Sequence, residues 1–321
     1  MRLVRAVRTG VAAGLRTAVW LLLIMLPVSF VVLLLRWTGV LEAVSDLLSP
    51  VFRSIGLPGA SALVFLSSLF VNLYSGIAVM GELALSMREV TIIAVMCLIA
   101  HNFLVEIAVL GSTGSSPLRM VVLRLAAALV AGFGLSLMLP ADLAALDTGI
   151  GAHMREVEPD RFAGALVAWG RESLMLIGRI SLILLALMTG EALLQEMGVI
   201  RWIGRRLGPV MRLFGLPEET AFLWVVSNTL GLAYGAGVLR REVSQGRLST
   251  VHSDLLNHHI AVSHSLLEDT LLFVVLGVPA LWITVPRLLL ALFAVWARRA
   301  ELAIRARRTS HERAYRSRSL P

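Results

Sequence analysis

Lysine is absent from this chain, cysteine occurs once, and charged residues make up only 16% of its 321 positions. A single cysteine, Cys97, rules out a disulfide framework within the chain. No Cys-x-x-Cys, His-Glu-x-x-His or P-loop pattern occurs, so those redox, zinc-peptidase and nucleotide-hydrolysing readings have no motif to rest on. With so few charges, 57% hydrophobic residues and a mean hydropathy of +0.82, the composition lies far outside that of an ordinary soluble domain. The net charge of +8 is carried by arginine and gathers in the two tails. Basic ends beside apolar runs record topology and attraction to lipid headgroups, so no nucleic acid partner is expected.

What is present is a series of apolar runs, at about 18–35, 59–80, 91–111, 117–139, 173–195, 219–239, 255–277 and 280–297. Each approaches the roughly 20 residues a helix needs to span a bilayer. None shows the two-residue alternation of a barrel strand, and a helix satisfies its own backbone in lipid. The first run follows Arg2, Arg5, Arg8 and Arg16 without a cleavage site and reads as a retained span.

The chain also repeats itself. Gly39, Pro50, Arg53, Gly56, Leu57 and Pro58 recur as Gly198, Pro209, Arg212, Gly215, Leu216 and Pro217 at a constant offset of 159, which also joins Ser68 to Ser227 and Gly76 to Gly235. Duplicated membrane proteins often bind substrate where their halves meet. If all eight runs crossed, the acidic 140–172 loop would share the cytoplasmic side of the basic tails, and the arginine-rich 198–217 segment would lie opposite them. If the second run of each half is instead re-entrant or broken, the halves are inverted and every arginine-rich segment is cytoplasmic. Ser67, Ser68, Asn72, Ser75 and Gly76, with Ser227, Asn228, Gly231, Gly235 and Gly237, suit such interrupted helices. The expected fold is an all-α integral membrane protein of two inverted repeats. Each repeat has three transmembrane helices, one re-entrant or broken run and one interfacial amphipathic helix, at 39–56 and 198–214. The expected divisions are a first repeat over 1–139, an acidic connecting loop over 140–172, a second repeat over 173–298 and a basic tail over 299–321.

Two runs carry ionisable groups, which are costly inside a membrane and mark functional sites by default. One holds His101, Asn102 and Glu106; the other holds Asn257, His258, His259, Ser263, His264, Glu268 and Asp269. Read at an offset of 162, the repeat matches Asn102 with His264, Glu106 with Glu268 and Pro117 with Pro279. Glu106 could instead simply neutralise Arg124, and Glu268 could neutralise Arg287, since buried charges need partners whatever the function. A metal reading has His264 and Glu268 at helical ligand spacing, but Asn102 replaces the histidine in the other half, and neither metal nor cofactor is expected. Ser263, His264 and Asp269 lie too close together on one helix to converge as a catalytic triad, so no enzyme is expected. His252 and Asp254 read as solvated residues near the inner surface.

The amphipathic helix, Gly-Leu-Pro, the Ser/Asn/Gly-rich run and then His-Asn-Phe-Leu-Val-Glu (101–106) or Ser-His-Ser-Leu-Leu-Glu-Asp (263–269) resemble the nucleoside recognition, or Gate, domain family. That family includes spore maturation membrane proteins, and its domain is related to segments of concentrative nucleoside and ferrous iron transporters. The resemblance covers about 38–139 and 197–298. It implies a bacterial inner-membrane protein with both termini cytoplasmic and a transporter-like fold. The resulting expectation is a secondary transporter for a small polar solute, nucleoside-like or cationic. Its midplane substrate site would comprise Asn72, His101, Asn102, Glu106, Asn228, His264, Glu268 and Asp269. The alternatives are a non-transporting membrane scaffold and, behind it, an intramembrane enzyme. The expected partners are the lipid bilayer and a small-molecule or ion substrate, with a homo-oligomer allowed.

Overall fold

Long apolar runs with few charges can bury their backbone in lipid only as helices, and helices account for all the regular structure among the described residues. A computed structural model describes residues 2–38, 40–143, 162–229 and 231–318. The acidic connecting segment at 144–161 lies outside the described residues, so nothing structural attaches to the loop expected there.

The first half runs through α1 (Arg2–Trp37), α2 (Val40–Ser54), α3 (Ser61–Phe70), α4 (Leu73–Gly81), α5 (Met87–Ala100), α6 (Phe103–Ser112) and α7 (Pro117–Met138). The second runs through α8 (Phe162–Glu196), α9 (Val199–Arg206), α10 (Gly208–Leu213), α11 (Ala221–Thr229), α12 (Leu232–Ser244), α13 (Thr250–Ser263), α14 (Glu268–Val275) and α15 (Ala280–Arg318). Among the described residues, three stretches are long and apolar enough to cross a membrane: Met87–Ser112, Pro117–Met138 and Ala280–Arg307. Helices α5 and α13 form the centre. Their residues from Val90 to Ala100 and from Ser253 to Ser263 are buried on every side, which is why neither shows an amphipathic stripe.

The outer helices α1 and α8 pack along each other in opposite directions. Gly10 lies against Thr189, Phe30 stacks on Trp169 at 5.2 Å, and Trp37 meets Phe162 at 5.4 Å. At one end of the bundle, Arg119 near the start of α7 pairs with Glu301 far along α15 at 2.8 Å, so these two helices are also antiparallel. Asp254 of α13 joins the same end. It accepts from Ser115 Oγ at 2.6 Å and from Arg298 Nε at 2.7 Å. Asp254 is therefore buried in a network and not solvated as its position suggested, while His252 is the exposed one, 2.6 Å from Glu219. The start of α5 sits at the opposite end, where Arg88 donates to Ser136 O at 2.6 Å and Leu139 O at 3.4 Å.

Both interrupted second runs are broken as expected, α3 from α4 at Val71–Asn72 and α11 from α12 before Gly231. The third and seventh runs are broken too, which their continuous apolar character did not announce. Helix α5 ends at His101 and α6 restarts after Asn102, whose φ of 48° is left-handed; α13 ends at His264, and Ser265 adopts φ 52°. Asparagine tolerates this region better than most residues, and serine less so.

The breaks also correct the register. Caps Ser86 and Ser249, C-caps His101 and His264, left-handed Asn102 and Ser265, and the starts of α7 and α15 at Pro117 and Ala280 all correspond at an offset of 163. The sequence match at 162 was carried by shared glutamate and proline letters. Helix α12 runs 13 residues where α4 runs 9, so the second half contains about one extra helical turn. Glu106 accordingly corresponds to Asp269, not Glu268, and His101 to His264.

Close approach of the broken halves depends on two glycines. A methyl group on Gly76 would lie 2.8 Å from Ser68 Cβ and 3.2 Å from Val64 O, and one on Gly235 would collide with Ser227 Oγ. Gly76→Ala and Gly235→Ala should each destabilise the protein by about 1–3 kcal/mol through overpacking. Thermal melts in detergent check this, with Gly134→Ala, which meets nothing within 4 Å, as the neutral comparison.

Candidate functional site

Each break frees backbone groups that lipid cannot satisfy, and the chain seals them from its own side chains and neighbouring breaks. Asn102 N donates to Ser68 O at 3.0 Å, while Ser265 N donates to Ser227 O and Leu267 N to Asn228 O, both at 3.1 Å. The fully buried Arg124 donates from Nε to Ile99 O and from Nη2 to His101 O, each at 2.9 Å. Arg287, also fully buried, repeats the arrangement on Val262 O at 3.4 Å and on His264 O. The two arginines therefore hold the C-terminal ends of α5 and α13, a role that their placement in apolar runs did not reveal. Their common spacing from the two histidines was the available signal.

The ends so fixed face each other. His101 Nε2 lies 3.3 Å from His264 Nε2. The other ring nitrogen of each sits on the carbonyl four residues back, His101 Nδ1 on Cys97 O at 3.1 Å and His264 Nδ1 on Ile260 O at 2.9 Å. A carbonyl can only accept, so each Nδ1 carries a proton, and a neutral ring then has its lone pair at Nε2. Around this pair stand the carboxylates from the first turns of α6 and α14. Glu106 Oε1 is 3.3 Å from His101 Nε2, and its Oε2 is 3.2 Å from His264 Nε2 and 2.6 Å from Arg124 Nη2. Asp269 Oδ2 is 3.7 Å from His101 Nε2. Acidic groups at helix N-termini, beside histidines at helix C-termini, suit the partial charges of both ends.

Of the other expected site residues, Glu268 faces not Arg287 but the hydroxyl of Tyr74, which donates to its Oε1 at 3.3 Å. Asp269, buried, instead turns toward His101, with Oδ2 3.7 Å from its Nε2. Asn72 caps α4, its Oδ1 accepting from Ser75 N at 2.8 Å and Ser75 Oγ at 3.1 Å. Asn228 donates to Trp224 O at 2.9 Å, and its buried Oδ1 has no hydrogen-bond partner among the described residues. Asn102 contributes the left-handed turn. His258 and His259 diverge, the first within 3.5 Å of Asp254 and the second bonded to Trp224 Nε1 at 3.1 Å and Ser263 Oγ at 2.8 Å. Ser263 thus contacts His259 and not the adjacent His264. Tyr74 was missed because it lies in an apolar run far in sequence from its carboxylate.

Comparison with known proteins places the chain among membrane proteins. The nucleoside recognition (Gate) family model matches residues 18–117, which include His101, Asn102 and Glu106. The uncharacterized membrane protein YvoD of Bacillus subtilis (strain 168) is 31% identical over 270 residues, spanning 84% of this chain and 86% of the relative. No solved structure matches the chain. The chain belongs to the nucleoside recognition (Gate) domain family of membrane proteins, with YvoD as a relative over most of its length.

Proposed function

We propose that this protein is a secondary transporter of the bacterial inner membrane, built from two inverted repeats whose four helix breaks line a midplane site for a small polar solute or cation. The observation that carries the reading is the meeting of corresponding breaks from both halves at His101 and His264, with Glu106 and Asp269 beside them. Discontinuous helices paired in this way are a common transporter device, since their ends offer partial charges and unsatisfied valences at the membrane centre. The antiparallel packing of α1 against α8 and of α7 against α15 supports inversion, because these are corresponding helices of the two halves. Arginine placement then puts both termini, the 198–217 segment and the Arg119–Glu301 end in the cytoplasm. The repeats extend over 1–139 and 173–298, with the acidic connection outside and the basic tail inside.

In this reading Glu106, Asp269 and Glu268 bind a cationic or hydroxyl-rich solute or a coupling proton, and the free Oδ1 of Asn228 accepts from it. Asn72 acts by holding the start of α4.

The test is uptake by the full-length protein reconstituted in vesicles, offered nucleosides, nucleobases, divalent metal ions and protons in turn. Flux of one class that saturates with concentration is expected. A membrane scaffold is the second reading, favoured by the way Arg124 and Arg287 seal the breaks from within the chain. Absence of flux, together with no thermal stabilisation by any solute, would decide for the scaffold.

A further inference from the structure

The groups converging between the two breaks are almost all electron-pair donors. With each Nδ1 proton committed to a backbone carbonyl, Nε2 of His101 and of His264 is the ring position left to a ligand, and in the neutral ring it carries the lone pair. Asp269 Oδ2 is buried and has no hydrogen-bond partner among the described residues. Glu106 adds two further oxygens, of which one is held by Arg124. Acceptors packed against acceptors repel, and an electron-deficient guest resolves the conflict.

The spacing selects among guests. Two nitrogens each about 2.0–2.1 Å from a tetrahedral zinc ion stand about 3.3–3.4 Å apart. The imidazole nitrogens are 3.3 Å apart, and their distances to the Glu106 oxygens are 3.3 and 3.2 Å. The donor atoms of His101, His264 and Asp269 all lie within 4.8 Å of one another. Each imidazole is oriented by a carbonyl on its far nitrogen, the usual outer arrangement for histidine ligands. We propose that His101, His264 and Asp269 bind a divalent first-row transition-metal cation between the two halves of the protein, with Glu106 as the neighbouring counter-charge and a fourth position open.

Charge allows it. Arg124 and Arg287 offset two of the three carboxylates Glu106, Glu268 and Asp269. The facing C-termini of α5 and α13 contribute roughly half a negative charge each. The N-termini of α6 and α14 offset these C-termini, so a doubly charged ion meets a site of about one net negative charge. Imidazole with carboxylate suits zinc, iron, cobalt or nickel over magnesium or calcium. The corrected register removes the objection raised by Asn102, because the histidine of one half now corresponds to a histidine of the other. Binding is independent of flux, so the inference stands apart from transport and fails separately from it.

The full-length protein is purified in detergent, stripped with chelator and titrated with Zn2+, carrying His252→Ala to remove the exposed His252–Glu219 pair as a competing site. One Zn2+ per chain is expected, with a rise in melting temperature. His264→Ala and Asp269→Asn should weaken binding by on the order of 100-fold or more, beyond the loss typical for outer-shell groups. His258→Ala should leave it unchanged. Co2+ supplies a readout that needs no variant, since a four-coordinate nitrogen and oxygen site gives intense visible absorption that six-coordinate Co2+ lacks. Failure of Zn2+ to bind would overturn the proposal and assign the facing lone pairs to a shared proton. Undiminished binding by His264→Ala, or only the weak absorption of six-coordinate Co2+, would overturn it as well.

Discussion

Arg124→Met is expected to destabilise the protein by about 3–5 kcal/mol, the usual cost of removing one partner of a buried ion pair. Glu106 would be left buried without its guanidinium, and the carbonyls of Ile99 and His101 would lose their donors. An orphaned buried acceptor costs about 1–3 kcal/mol, so the two contributions can be separated. Adding Glu106→Gln should recover the charge part of the loss and leave the carbonyl part. Thermal and denaturant melts of the single and double variants measure the difference. Arg287→Met should show the carbonyl part of this loss, about 1–3 kcal/mol, since Arg287 donates to Val262 O and His264 O. An Arg124→Met protein as stable as wild type would show that the breaks do not depend on these arginines.

Glu106→Gln and Asp269→Asn are each expected to lower solute flux by about 10- to 100-fold, corresponding to loss of a hydrogen bond to a charged group worth about 1.5–3 kcal/mol. Glu268→Gln should have the smaller effect, because Glu268 faces Tyr74 and does not correspond to Glu106. The comparison also tests the register. If Glu268→Gln removed flux while Asp269→Asn spared it, the correspondence read from the aligned glutamates would be the functional one. Flux is normalised to folded protein in the vesicles, because Glu106→Gln also leaves the buried Arg124 without its carboxylate.

Much of this architecture is legible in the sequence because the bilayer permits so little else. Apolar runs give helices, and the small and polar residues of the second runs mark their breaks. The 159-residue offset gives the duplication. The breaks at His101–Asn102 and after His264 were not legible, since a left-handed φ at Asn102 or Ser265 leaves no trace in hydropathy. Register slipped for a related reason. The extra turn of α12 adds four residues, yet Glu268 and Pro279 happen to fall one position short of it and imitate an alignment. His101, Glu106, His264 and Asp269 could be named from the rarity of such residues in apolar runs. Their pairing could not, because it arises where two halves meet across the fold. Arg124 and Arg287 were recognisable as counter-charges, whereas their hold on the freed carbonyls required the geometry of the breaks.

The central claim is that the halves face opposite ways around one shared site. Cys97→Ala gives a cysteine-free chain, into which Ala84→Cys or Gln245→Cys can be introduced singly at exposed positions after α4 and α12. Labelling with a membrane-impermeant maleimide on oriented vesicles, before and after permeabilisation, reports the side of each. The account predicts that position 84 is labelled from outside the cell and position 245 from the cytoplasm. Labelling of both positions from the same side would contradict it.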